Sequence, residues 1–142
     1  MTSPTRKMMI VPCSGIGKTY GTVSREAAYT VTEDLRPTQT QLVALALLVL
    51  GDDGSRTDIA ECPAITIDGC KLACAAKMVQ QRGGTVARGF AVLDVYRRYK
   101  DFKPSGIAEL NDSGQKLARV LAEEVTAVVD GLISGKQGGE NA

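Results

Sequence analysis

The chain has 142 residues, 44% of them hydrophobic and 23% charged, with a formal net charge of +1. That is enough for one globular domain with its own core, and it lacks the cationic excess a nucleic-acid surface needs. There is no histidine, which removes imidazole acid–base chemistry, Ser-His and Cys-His pairs, and histidine-built zinc sites.

The opening "MTSPTRKMMIVP" has no signal-peptide core, and the longest apolar run, Leu42 to Leu50, is about half a membrane span. A cytoplasmic protein with no membrane partner is expected. In that compartment the four cysteines serve as ligands, nucleophiles or core residues rather than bridges. One domain over residues 7–135 is expected, with residues 1–6 and 136–142 as flexible tails.

"KMMIVP", Lys7 to Pro12, is an apolar run before a glycine turn and reads as a buried strand. From Thr22 to Leu35, Val23, Ala27, Val31 and Leu35 share one stripe, an amphipathic helix stopped by Pro37. "QLVALALLVL", Gln41 to Leu50, reads as a buried strand running into a short turn or helix before "GDDG". "AITID", Ala64 to Asp68, is a further strand. "CKLACAAKMVQQ", Cys70 to Gln81, follows as a helix closed by Gly83-Gly84. "FAVLDV", Phe90 to Val95, is a fourth strand, and the basic, aromatic "YRRYKDFK" after it is a loop. Ser113 to Ile133 forms a long helix with Leu117, Leu121, Val125, Val128 and Leu132 inward, capped by Asn111 or Asp112.

This alternation predicts a three-layer α/β fold: a mainly parallel four-stranded sheet with helices on both faces, Rossmann-like or flavodoxin-like. Such sheets bind ligands beyond the carboxyl ends of their strands. On this reading that rim gathers Cys13, Asp52, Asp68, Gly69, Cys70 and Asp94.

Gly17-Lys18-Thr19 ends like a P-loop, but the first glycine of that motif falls on Pro12, so a nucleoside triphosphatase is set aside. What remains is a glycine turn. Ser14, Gly15, Gly17 and Lys18, with Arg25 on the following helix, are candidates for holding a small anion. Glu26 and Asp68 are the candidate proton carriers. "YRRYKDFK", Tyr96 to Lys103, either covers an anionic or planar substrate or is a solvated loop whose aromatics tuck into the core.

Cys70 and Cys74, four apart on the expected helix, would share one face, with Cys70 at the helix N-terminus. Cys13 ends another strand and the sheet can bring it to the same rim. Crowded thiolates repel unless a cation sits among them. Zinc takes such ligands at about 2.3 Å, and an iron–sulfur cluster uses the same atoms. Cys62 precedes the "AITID" strand while Cys70 follows it, and a straight five-residue strand separates its ends by roughly 16 Å.

"PCSGIGKTYG", "SREAAY" and "IDGCKLACAAK" together resemble the DGC-domain family, named for the Asp-Gly-Cys present here at Asp68 to Cys70. The similarity runs from Met8 to about Leu132. It implies a zinc-binding protein with four chelating cysteines, of which Cys13, Cys70 and Cys74 match by position. In relatives the fourth often falls in the second strand, around "LVALAL", where this chain is aliphatic; Cys62 is the substitute.

The expected function is therefore a cysteine-ligated metal site, zinc by preference, at the carboxyl rim of the sheet. Two alternatives stay open. One is a three-cysteine iron–sulfur or open-zinc enzyme acting on a small sulfur-containing or anionic substrate. The other is a metal-free thiolate enzyme of phosphatase or arsenate-reductase type using Cys13, although those loops carry an arginine where this chain has Thr19.

Overall fold

The computed structural model describes residues 7–13, 15, 17–69 and 72–134. Both expected tails, 1–6 and 136–142, lie outside them. Four parallel strands, β1 (Met8–Pro12), β2 (Thr40–Leu42), β3 (Ala64–Asp68) and β4 (Val86–Ala91), form one sheet in the order β2-β1-β3-β4. The helices are α1 (Thr19–Tyr29), α2 (Leu45–Leu50), α3 (Asp53–Glu61), α4 (Cys74–Gln81), α5 (Val92–Arg98) and α6 (Asp112–Ser134). A π-helical turn, Thr30–Leu35, continues α1.

Strand periodicity sorts the central residues onto two faces. Met8, Ile10, Ile65 and Ile67 pack with α1, α5 and α6 through Val23, Ala27, Val95, Leu117, Leu121 and Val125. Met9, Val11 and Ala64 pack on the other face with Leu45, Leu48, Ile59, Ala75 and Val79 of α2, α3 and α4. Both central strands are buried on both faces, as a parallel sheet requires. The three-layer α/β architecture is thus the one the alternation of elements predicted.

Three local expectations change. The strand part of the Gln41–Leu50 run is shorter than expected: β2 takes only Gln41 and Leu42 of it, and the short helix expected to follow, α2, takes up Leu45 to Leu50. Leucine and alanine favour helix over strand. Gly51, at φ +87°, ends the helix, and Arg82 donates from Nε and Nη2 to the carbonyls of Leu48 and Val49. The fourth strand lies at 86–91 rather than 90–95. It is an edge strand with residues 87–89 exposed, so it carries no continuous apolar signature. Val92 and Val95 then turn inward from α5, with Asp94 in its first turn and Arg97 and Arg98 in its last, the polarity a helix dipole favours. Finally, α4 begins at Cys74, not Cys70.

In α6 the cap follows expectation, and the inward stripe departs from it at the far end. Asn111 caps the helix, its Oδ1 accepting the N–H of Gly114 at 2.8 Å. Leu132 is exposed at the far end, and Val129 is buried instead.

Candidate metal and ligand site at the carboxyl rim

The strand order reverses direction at β1 and β3, since the chain leaves β1 toward β2 on one side and β3 on the other. At such a switch point the connections diverge and leave a crevice beyond the strand ends. Cys13 follows β1, and Asp68 ends β3, with Gly69 next. Register holds to the rim: Pro12 pairs with Ile67, and the N–H of Cys13 donates to the Ile67 carbonyl at 2.9 Å.

The Cys13 thiol is buried, at 7% exposure. Its Sγ accepts the N–H of Gly69 at 3.2 Å and lies 3.3 Å from Ser24 Oγ on α1. Ser24 also donates to the Gly21 carbonyl at 2.7 Å. A hydroxyl has one proton, so the direction of the Ser24–Cys13 contact depends on sulfur. A thiol gives its proton to Ser24, while a deprotonated sulfur draws the serine proton to itself at the expense of Gly21. Ser24 was not visible as a site residue in the sequence; helical spacing from the Cys13 turn was its only signal.

Glycines hold these segments together. Gly15, at φ +47°, lies so near Gly21 that a methyl on either would strike the other's backbone. A methyl on Gly69 would stand 3.0 Å from the Gly21 nitrogen. The turn after β1, the start of α1 and the turn after β3 thus meet backbone to backbone, a contact only glycine permits.

Asp68 is 4% exposed. Its Oδ1 accepts the Ala75 N–H at 2.8 Å and its Oδ2 the Ala76 N–H at 3.3 Å. These donors open α4, whose own cap position, Ala73, is left-handed at φ +55° and offers no side-chain bond. Asp68 therefore caps α4 from the adjacent strand. Burial pushes its carboxyl above the usual range, opposed by the Ala75 and Ala76 N–H groups and by Lys77.

Cys74 is the exposed first residue of α4. Residues 72 and 73 precede that helix rather than continue it, so the one-face helical spacing expected for Cys70 and Cys74 does not apply. Cys70 and Ser14 lie outside the described residues. Among the described residues no three cysteine or carboxylate side chains cluster as a ready metal site.

Cys62 caps the end of α3 before β3. The adjacent Pro63 carbonyl accepts the N–H of Met9, which places Cys62 at the opposite end of the sheet from Cys13, roughly 13 Å along the strands.

Asp94 sits in the first turn of α5 instead of at a strand end and lines one cavity with Asp68; the other rim candidates disperse. Asp52 caps α3 by accepting the Ser55 N–H at 2.9 Å. Lys18 is exposed, and its N–H closes the turn onto the Gly15 carbonyl at 3.0 Å. Gly17 is exposed at φ +79°. Arg25 donates to Thr22 Oγ1 at 3.2 Å. Glu26 opens onto a separate groove beside Glu109, Gln115 and Arg119.

The "YRRYKDFK" segment begins as helix. Tyr96 packs on Tyr20, Tyr99 stacks on Phe102 at 5.9 Å, and Arg98 pairs bidentately with Glu124 at 2.7 and 2.8 Å. Its aromatic rings and Arg98 hold α5 in place. No described helix is long and apolar enough to cross a membrane.

The family model for the DGC domain matches residues 9–113. No curated protein and no solved structure matches the chain.

Proposed function

The chain belongs to the DGC-domain family, and from that premise we propose that it binds a metal ion, zinc, through Cys13, Cys70 and Cys74 at the carboxyl rim of the sheet. The observation that carries this reading is the hydrogen bond from the Gly69 N–H to Cys13 Sγ at 3.2 Å. It fixes the residue preceding Cys70 against the first thiol, across the switch point where α/β sheets hold their ligands. The donor set fits: sulfur ligands suit zinc in a chain without histidine, and an N–H donor beside a buried sulfur is the kind of outer contact that orients a metal ligand.

Three protein sulfurs remain, because Cys62 stands at the other end of β3. Asp68 is not counted, since both its oxygens serve α4. The fourth position on this reading is filled by water or substrate, which makes the site suited to a catalytic or carrier role. A bound metal would supply Lewis acidity there. This chain's own part is to orient Cys13 through Gly69 and to let Ser24 shift its single proton between sulfur and the Gly21 carbonyl.

The test is elemental analysis and optical spectroscopy of anaerobically purified protein, wild type and Cys13→Ser. About one zinc per colourless wild-type chain, lost in the variant, supports the reading. Brown protein with iron and sulfide identifies the iron–sulfur alternative. Metal-free protein whose Cys13 alkylates selectively identifies the thiolate enzyme of phosphatase or arsenate-reductase type.

A further inference from the structure

On the metal reading above, the two described sulfurs of the site are held very differently. Cys13 is 7% exposed, and its N–H bonds the Ile67 carbonyl at 2.9 Å, so its backbone belongs to the sheet. Its Sγ accepts the Gly69 N–H at 3.2 Å. Ser24 Oγ, at 3.3 Å, adds a second donor once the sulfur is ionised. Hydrogen bonds to an ionised acceptor are the strong kind. An enclosed sulfur with two donors gives up a metal slowly, because competing reagents have little access to it.

Cys74 has none of these restraints. It is exposed, and no described group hydrogen-bonds its sulfur. It opens α4 directly after Ala73, the one described non-glycine residue at positive φ, +55°. That conformation is disfavoured for a residue with a Cβ, so the turn that presents Cys74 is strained, whereas no residue of β1 is left-handed. Nor does α4 depend on Cys74 for its start, since Asp68 holds the Ala75 and Ala76 N–H groups. Releasing a metal from Cys74 leaves the helix capped.

The entering ligand follows from the leaving one. Thiolates are soft donors that suit zinc, and an incoming thiol replaces sulfur by sulfur with no change of charge. An amine or carboxylate would exchange a soft donor for a harder one.

We propose that metal is loaded and released by exchange at Cys74 with a thiol, while Cys13 stays bound. In the step, a bond forms between the incoming sulfur and the metal, and the bond from Cys74 Sγ breaks. The proton of the incoming thiol passes to the released Cys74 sulfur, and no electrons are transferred. The proposal rests on the metal reading and assigns its site to a carrier.

The test loads the purified full-length chain with cobalt(II), whose sulfur-to-metal absorption reports the thiolates bound, in wild type, Cys74→Ser and Cys13→Ser. Circular dichroism melting establishes that each variant is folded. Cys74→Ser should bind cobalt about 10- to 100-fold more tightly than Cys13→Ser, because loss of Cys13 also forfeits the Gly69 and Ser24 contacts. Millimolar 2-mercaptoethanol should restore the absorption of Cys74→Ser to the wild-type level and leave that of Cys13→Ser below it. A cysteine-containing peptide that restores it where 2-mercaptoethanol does not supports the same step and places the thiol on a protein partner. A further measurement needs no variant: limited iodoacetamide treatment of the zinc-loaded wild type should release zinc in step with alkylation of Cys74 while Cys13 stays unmodified, read by mass spectrometry. The proposal is overturned if thiols restore both variants or neither, if the two variants bind cobalt equally, or if zinc leaves only after Cys13 is alkylated. Wild type that takes up neither metal instead fells the metal reading itself, and this proposal with it.

Discussion

Replacing Asp68 by Asn alters one proton-binding group and almost no volume. The carboxylate accepts the Ala75 N–H at 2.8 Å and the Ala76 N–H at 3.3 Å. A carboxamide has a single oxygen, which would keep the shorter bond and leave the Ala76 N–H facing an NH₂ group. An unmatched N–H there costs about 1–3 kcal/mol. Relief from burying a charge offsets part of this, so the expected loss is about 1–2 kcal/mol at neutral pH.

The pH dependence is the sharper test. Burial raises the Asp68 pKa above 3.8 and outweighs the N–H groups and Lys77 that lower it. The folded state therefore holds this proton more tightly than the unfolded chain. The associated stabilisation is complete below pH 3.8 and is lost as pH rises through the folded-state value. Asp68→Asn lacks that contribution, so its deficit against wild type should be widest in acid and narrow toward neutrality.

Urea unfolding followed by circular dichroism, from about pH 4 to about pH 8, measures the difference. Groups that titrate alike in both proteins cancel, and no histidine intrudes. A deficit that widens as pH rises would refute the reasoning, because the α4 N–H groups would then outweigh burial.

Gly21→Ala drives a methyl into the Gly15 backbone and should cost about 1–3 kcal/mol, the range for overpacking, in the same urea assay; an unchanged midpoint would mean that the two turns can separate freely. Arg36 pairs with Asp130 at 2.7 Å through two bonds, holding Asp130 below the usual carboxylate range. The linked stability is present above pH 3.8 and lost as pH falls through the depressed value. Since both side chains are more than a third exposed or nearly so, Asp130→Asn should cost only about 0.2–1 kcal/mol at pH 7, a difference that added salt should shrink.

The sequence disclosed most where apolar periodicity was strong. β1, β3 and the stripe of Val23, Ala27 and Val31 along α1 and its π-helical continuation lie where their patterns put them, because burial on both faces or along one stripe leaves a repeating signature. The edge strand was misplaced because Ala87, Arg88 and Gly89 face solvent, and the switch from β2 to α2 came earlier than expected because an all-apolar run has no period to mark it.

At the rim, Cys13 and Gly69 meet as the sheet argument required. Asp68, by contrast, reads in sequence as a proton carrier, and only the fold reveals that its two oxygens cap α4. Ser24 was missed for a related reason: its contact with Cys13 depends on how α1 folds back over the end of β1, which residue spacing does not reveal.

The bond from Gly69 to Cys13 joins positions 56 residues apart. In a flexible chain, closing a loop of that length carries a length-dependent entropy cost of roughly 3.6 kcal/mol, met here by the pairing of β1 with β3. An ion gripped across this junction would act as a clasp: only a chain with its first and third strands already side by side could close on it. Loading would then trap the assembled sheet, and stripping the ion would loosen the very seam that unfolding must open.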